Sequence, residues 1–413
     1  MNIIDLFSGA GGLTEGFRRN YNVIGHVEKE QPASETLKLR DAYYYLEETN
    51  QLNIYYDFLN DIIPKATLFS HIPKDLLNRT INKEINDESI HGIFQELDTI
   101  LENEDDPTVT GVIGGPPCQA YSTIGRALNA SKKSTDGRIY LYRYYIDFLQ
   151  KYNPTFFVFE NVKGLLSFKD LDDELLFPKM QQEFRAAGYE LDYKLINTAE
   201  YGVPQSRERV IIFGAKRNRL DLINNFFDRL SDLREKTISV REAFTGLPSL
   251  HSGEENNKYT LSTNKFIKQF YRTNPDTPLT QNISRPNKSN DLEIYRIVAD
   301  AKQRGINLKY NELAKNLITH RHTDKFLDRY KALGWDIPSH TVVAHIAKDG
   351  HHYIHPDSEQ NRSITVREAA RLQGFPDDFF FETSRTSAFT QIGNAVPPIL
   401  SKKIADTIFQ LID

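Results

Sequence analysis

Short apolar runs that each end on a polar or glycine-rich turn mark the first half of the chain. Asn2 to Leu6 reads as a strand, followed by a glycine turn and a helix from about Leu13; Asn22 to Val27 reads as the next strand and ends at Glu28. Val109 to Ile113 has the apolar, β-branched character of a buried strand, as do Pro154 to Phe159, which runs into Glu160, and Val210 to Gly214. Between them, residues 41–105 are long, polar and rich in Asn and Asp, with helical spacing at Ile90, Ile93, Phe94, Leu97 and Leu101. This stretch reads as a helical insertion. After Gly214 the alternation of strands and helices stops. Residues 216–340 are polar and broken by Pro248, Pro275, Pro278 and Pro286, and an apolar run returns at Val342 to Ile346. A last helix opens after Pro397-Pro398 and carries Ile399, Leu400, Ile404, Ile408 and Leu411 on one face. The pattern predicts an α/β protein: a doubly wound, Rossmann-like domain made from 1–215 and 341–413, with a smaller, irregular domain at 216–340. A strand, loop, helix and strand with an acid closing the second strand is the arrangement that holds nucleoside-bearing cofactors.

Composition narrows this further. The chain has 413 residues, ample for two or three domains, and no run of 18 apolar residues, so it reads as soluble and cytoplasmic with no membrane partner. Its net charge of −5 would not suggest nucleic acid, but the distribution does. Residues 216–340 hold 22 Lys and Arg against 15 Asp and Glu, a balance of +7 that leaves −12 on the remainder. A basic block on an acidic body suits a region that faces phosphates, although a lysine-rich solvated surface gives the same count.

A single cysteine, Cys118, stands in Gly114-Gly115-Pro116-Pro117-Cys118-Gln119-Ala120-Tyr121-Ser122. Alone it forms neither an internal disulfide nor a zinc site, and no metal is expected. A lone thiol is commonly a small buried hydrophobe. Here two prolines fix the backbone before it and two glycines clear side chains from the turn, at the carboxyl end of a strand where open α/β sheets bind ligands. That context favours a nucleophile on a rigid arm.

The segment closely resembles the nucleophile loop of the cytosine C5 DNA methyltransferases, with Tyr121 where Phe is more usual. Five further segments resemble that family's motifs in the family's order. Asp5-Leu6-Phe7-Ser8-Gly9-Ala10-Gly11-Gly12 is similar to the cofactor loop, Glu160-Asn161-Val162 to the catalytic glutamate motif, and Gln205-Ser206-Arg207-Glu208-Arg209 to the QxRxR motif. Arg362 through Phe379 resembles the ninth motif and Gln391 through Pro397 the tenth.

The resemblance implies an S-adenosyl-L-methionine-dependent DNA (cytosine-5-)-methyltransferase acting on double-stranded DNA. It implies Cys118 as the nucleophile toward C6 of a flipped-out cytosine, Glu160 at its N3 and exocyclic amine, Arg209 on its carbonyl, and Arg207 as further positive charge near the loop. Phe7, Ser8, Gly9, Gly11, Gly12, Leu13, Glu28, Pro117, Leu141, Asn394, Ala395 and Val396 would line the cofactor site, with Phe7 on the adenine and Glu28 on the ribose hydroxyls. Lys29 stands where an adenine-covering aromatic is common, and Glu84-Ile85 is the candidate for reading the adenine amino group. Residues 216–340 take the place of the target-recognition domain, with Arg272, Arg285, Lys288, Arg296, Lys302 and Arg304 as candidate DNA contacts. The implied setting is a restriction-modification system with functional pairing to a restriction endonuclease and no physical complex. The tRNA-methylating branch carries a Cys-Phe-Thr element, which a chain with no second cysteine cannot supply. A catalytically dead binding module would lack Cys118 or Glu160, and nothing here supplies the hydride chemistry of a nicotinamide oxidoreductase.

Overall fold

The structure, a computed structural model, describes residues 1–117, 121, 137–318 and 326–412. Cys118 lies outside the described residues. Among the described residues nine strands form: β1 Asn2–Leu6, β2 Asn22–Val27, β3 Thr80–Ile81, β4 Val109–Gly114, β5 Phe156–Asn161, β6 Tyr189–Asn197, β7 Gln205–Ser206, β8 Glu208–Lys216 and β9 Ser339–His340. Seven make one sheet in the order β3-β2-β1-β4-β5-β8-β6, and β7 pairs with β9 apart from it. The neighbours from β3 to β5 are all parallel, whereas β8 runs antiparallel to both β5 and β6.

Side chains alternate across a strand, and here both faces are buried, so each strand feeds two cores. Ile3, Ile113, Phe156, Val158, Ile211 and Phe213 face the core closed by the helices Gly12–Phe17, Leu220–Asp232, Val366–Gln373, Arg385–Asn394 and Pro398–Ile412. Ile4, Val112, Phe157, Phe159, Val210 and Ile212 face the core closed by Ile90–Leu101, Leu141–Tyr152 and Leu176–Ala186. This is the doubly wound α/β architecture expected. The strand order reverses between β1 and β4, so the crevice at their carboxyl ends is the topological switch point.

Two expectations change. The stretch 41–105 is not a single helical insertion: it contributes β3 to the sheet, and its helix Ile90–Leu101 packs into the main core. The second half of helix Gln31–Glu48 and the short helices Leu52–Leu59, Lys65–Ser70 and Lys74–Leu77 gather instead around a tyrosine-rich cluster that includes Tyr43, Tyr55, Leu59, Leu68 and Ile72. The chain also does not leave the main core at 216. Phe226 stacks on Phe213 at 4.1 Å, and Val240, Phe244, Phe266 and Tyr271 join the same core. A separate small core gathers Ile294, Tyr295, Val298, Tyr310, Leu313, Tyr330 and Ala332, with Ile354 returning to it. Among the described residues no helix is long and apolar enough to cross a membrane.

Candidate active site

The parallel strands deliver four turns to one edge of the sheet. After β1, Phe7 adopts φ 56°, an uncommon conformation for a bulky residue that reverses the chain into the glycine loop. The Ser8 hydroxyl donates to the Asp5 carbonyl at 2.9 Å and the Ser8 carbonyl accepts from the Gly11 N–H at 2.9 Å, closing the turn. Gly11 then takes φ 82° to start the helix, which a side chain would resist. Gly12 is needed for a different reason. A Cβ there would lie 2.3 Å from the Val396 carbonyl oxygen and 3.0 Å from the Ala395 Cβ, so the loop after helix Arg385–Asn394 rests directly on the glycine turn. Leu13 is buried beneath, and its carbonyl accepts the Ser401 hydroxyl. Two segments nearly four hundred residues apart in sequence thus form one wall. Asn394 is the exposed last residue of its helix.

At the end of β2, the Glu28 carboxylate accepts the Gly9 N–H at 2.7 Å and the Glu30 N–H at 2.8 Å. It is buried, and burial raises its pKa above the usual carboxylate value against the opposing pull of those two N–H bonds. A Cβ built on Gly9 meets nothing within 4 Å, so the space beside the turn that donates to this carboxylate is open. A buried acceptor facing an open, side-chain-free turn fits a vicinal diol of a nucleoside. β3 brings Asn82 behind it: the amide donates to the Glu28 carbonyl at 2.9 Å and to Ser34 at 2.9 Å. Lys29 and Glu84 meet as an exposed ion pair at 3.0 Å on the rim, while Ile85 is buried.

β4 ends in Gly114, and Pro116 and Pro117 follow. Glu160, at the end of neighbouring β5, presses on this turn: a Cβ on Gly115 would lie 2.9 Å from its Oε2. Its Oε1 meets Arg209 Nε at 2.8 Å, with about a tenth of each side chain exposed. The reversal of β8 makes this pairing possible, because only an antiparallel neighbour begins at the edge where β5 ends. Asn161 is a site residue the sequence reading did not single out. Fully buried, it donates to the Pro116 carbonyl at 3.3 Å and accepts the Val162 N–H at 2.8 Å, joining the β5 turn to the β4 turn. Its adjacency to Glu160 was the only signal available. Tyr121, buried, donates to the Ile139 carbonyl at 2.5 Å and packs edge-on to Phe168. Leu141, half-buried, opens the helix Leu141–Tyr152.

Arg207, expected as charge near the nucleophile loop, whose Cys118 lies outside the described residues, also serves the fold. It is buried, and it donates to the Val342 carbonyl at 2.7 Å and the Gly393 carbonyl at 3.2 Å, clamping two returning segments together. Residues two apart along a strand share a face, but Arg207 stands between β7 and β8, outside both strands, so it need not face the way Arg209 does. Two of the candidate DNA contacts, both half-buried, are also engaged within the chain. Arg285 donates to the carbonyls of Ile346 and Ala347, and Arg272 lies 3.8 Å over the Tyr259 ring and donates to the Pro275 carbonyl. Lys288, Arg296 and Arg304 remain exposed.

Residues 78–410 match the model of the C-5 cytosine-specific DNA methylase family. A type II methyltransferase of Bacillus paralicheniformis is 38% identical over an alignment covering 100% of this chain and 99% of its own. A type II methyltransferase of Thalassovita gelatinovora is 29% identical, covering 99% of each. Among solved structures, a prophage-encoded DNA modification methyltransferase of E. coli superposes with a TM-score of 0.61 at 24% identity, covering 100% of this chain and 99% of that one, a likeness of fold. With its ordered motifs, its switch-point crevice and these relatives, the chain belongs to the C-5 cytosine-specific DNA methylases.

Proposed function

We propose that this enzyme methylates C5 of a flipped-out cytosine within a specific double-stranded DNA sequence, with S-adenosyl-L-methionine as donor and Cys118 as nucleophile, as the modification half of a restriction-modification pair. The observation that carries this reading is the Glu160–Arg209 ion pair against the Gly115 turn, on the same sheet edge as the buried Glu28 facing its open glycine loop.

Glu28 and the Gly9–Gly12 turn would hold the cofactor's nucleoside, with Ala395 and Val396 closing the far wall. When bound, that cofactor supplies an electrophilic methyl group. C5 of cytosine is a weak nucleophile until a thiolate adds at C6, and Cys118 makes that addition. Charge then develops on the N3 side of the ring, where the Glu160 carboxyl hydrogen-bonds N3 and the exocyclic amine. Arg209 holds Glu160 in place and reaches the base carbonyl. Loss of the C5 proton and departure of the thiolate restore the aromatic ring. Because a stacked base hides C6, the target must leave the helix, which costs a few kcal/mol offset by phosphate and groove contacts. Within 216–340, the part with its own small core carries the exposed Lys288, Arg296 and Arg304 and supplies those contacts.

The test is a duplex with 5-fluorocytosine incubated with enzyme and cofactor. Fluorine at C5 blocks the final elimination, so a covalent complex accumulates, and peptide mass mapping places it on Cys118. Bisulfite sequencing of host DNA then gives the recognition sequence. Active enzyme that yields no adduct removes Cys118 from its role.

A further inference from the structure

Three buried polar side chains, Gln205, Arg207 and Gln373, lie between the recognition region and the cofactor wall, and the mechanism above uses none of them on a reacting atom. Gln205 on β7 is fully buried and uses its whole amide: Nε2 donates to the Leu372 carbonyl at 3.1 Å and to Gln373 Oε1 at 2.6 Å, and Oε1 accepts the Val342 N–H at 2.7 Å. Gln373, also fully buried, passes the connection on by donating to the Ala395 carbonyl. Arg207 holds Val342 from the other side, through its carbonyl, and also donates to the Gly393 carbonyl two residues before Ala395. Both main-chain groups of Val342 are therefore held by this hub.

On the recognition side, the segment through Val342 is held by Tyr353. Its hydroxyl donates to the Thr341 carbonyl at 2.9 Å and accepts the Val343 N–H at 3.0 Å. Ile354, next in sequence, packs into the small core of the recognition region. On the cofactor side, a Cβ on Gly393 would fall 2.2 Å from the Ala344 nitrogen, and the Val396 carbonyl closes on Gly12. No slack separates these contacts. A shift of the strap at 341–344 either breaks a hydrogen bond to a fully buried amide or moves the 393–396 wall, and an unsatisfied buried amide is costly.

We propose that Gln205, Arg207 and Gln373 are positioning residues that couple the two sites, so that engagement of DNA by the recognition region tightens cofactor binding through Val342 and Ala395. The proposal rests on the reading of the site given above. Linkage requires the effect to be reciprocal: the cofactor product must tighten DNA binding by the same factor.

The experiment measures the dissociation constant of S-adenosyl-L-homocysteine by calorimetry, with and without a duplex carrying the sequence that bisulfite mapping identifies. For the unaltered protein the ratio of the two constants is expected in the range of about 5–150 for coupled sites. Gln373→Met keeps volume but cuts the link to Gln205 and Ala395. Tyr353→Phe removes one hydroxyl on the recognition side and touches neither the cofactor wall nor Glu160. Both variants are expected to bring the ratio to within two-fold of one, and Tyr353→Phe to leave affinity without DNA near that of the unaltered protein. An unaltered protein with a ratio of one overturns the proposal, as does Gln373→Met weakening both constants equally. If thermal unfolding shows that Gln373→Met is not folded, Tyr353→Phe decides alone, and an undiminished ratio in it overturns the coupling. Failure of the unaltered protein to methylate DNA would instead remove the function proposed above, so the two failures are distinguishable.

Discussion

Replacing Gly12 with alanine adds one methyl group where the glycine turn meets the 395–396 wall. The new Cβ would stand 2.3 Å from the Val396 oxygen, 3.0 Å from the Ala395 Cβ and 3.3 Å from Phe375 Cζ. Carbon and carbonyl oxygen settle at about 3.3–3.6 Å, so the Val396 carbonyl must retreat by about 1 Å. A gap of that size forfeits roughly a quarter to a half of each dispersion contact along the wall, and overpacking of this kind costs about 1–3 kcal/mol. If that cost falls on the cofactor-competent arrangement, the dissociation constant of S-adenosyl-L-homocysteine rises by about 5- to 150-fold. Gly16→Ala is the control. It lies on the same short helix, but its Cβ would strike Lys402 N at 2.2 Å, on the C-terminal helix rather than on the wall. It should lower the thermal midpoint while sparing affinity measured well below that midpoint. The reasoning fails if Gly12→Ala binds within two-fold of the unaltered protein, or if the two variants lose affinity alike.

Glu160→Gln should slow methyl incorporation by roughly 10²-fold or more. Arg209→Ala should do the same, and the double variant should be little worse than either, because the two act as one unit; near-normal rates in both singles would reduce the pair to scaffolding. Burial raises the Glu28 pKa, and in the function proposed above its charged form would accept the ribose hydroxyls, so affinity for S-adenosyl-L-homocysteine should fall with decreasing pH before an ordinary carboxyl at 4.5 would protonate. Calorimetry across pH checks this, with Glu28→Gln expected weak and flat. Burial and the Arg362 charge push His355 down to about 4, and Arg362 holds Glu368 at about 2 against the effect of burial. Both groups take up protons more readily unfolded than folded. Stability should therefore drop from pH 6.5 toward 4 through His355, and from 4.5 toward 2 through Glu368. Urea midpoints should show the upper part of that slope vanish in His355→Gln. Alanine at Lys288, Arg296 or Arg304 should flatten the salt dependence of DNA binding by about one unit per lost phosphate contact, whereas Arg285→Ala should lower stability instead.

Much of the arrangement of the candidate site was legible in the sequence, because local pattern carries it. The five longer predicted strands appear where apolar runs end on polar turns, since a strand buried on both faces admits little else. The glycine loop, Glu28 and Glu160 each sit at the carboxyl end of such a strand, so parallel pairing alone gathers them on one edge. Cys118 stood out by being single and flanked by prolines.

What the sequence could not carry was every property that depends on which distant segment fills a space. β3 is two residues long and gives no periodic signal; it is a strand only because β2 offers it a free edge. Helix Leu220–Asp232 lies in a polar region by composition, yet Phe226 finds Phe213 and keeps it in the main core. The arginines show the same division most clearly. Arg207, Arg209, Arg272 and Arg285 look alike in sequence, each a cation among polar neighbours. Packing gives Arg209 a carboxylate, Arg207 and Arg285 main-chain carbonyls, and Arg272 an aromatic face and one carbonyl. A guanidinium takes whichever acceptor the tertiary fold presents to it, and no local pattern encodes that choice.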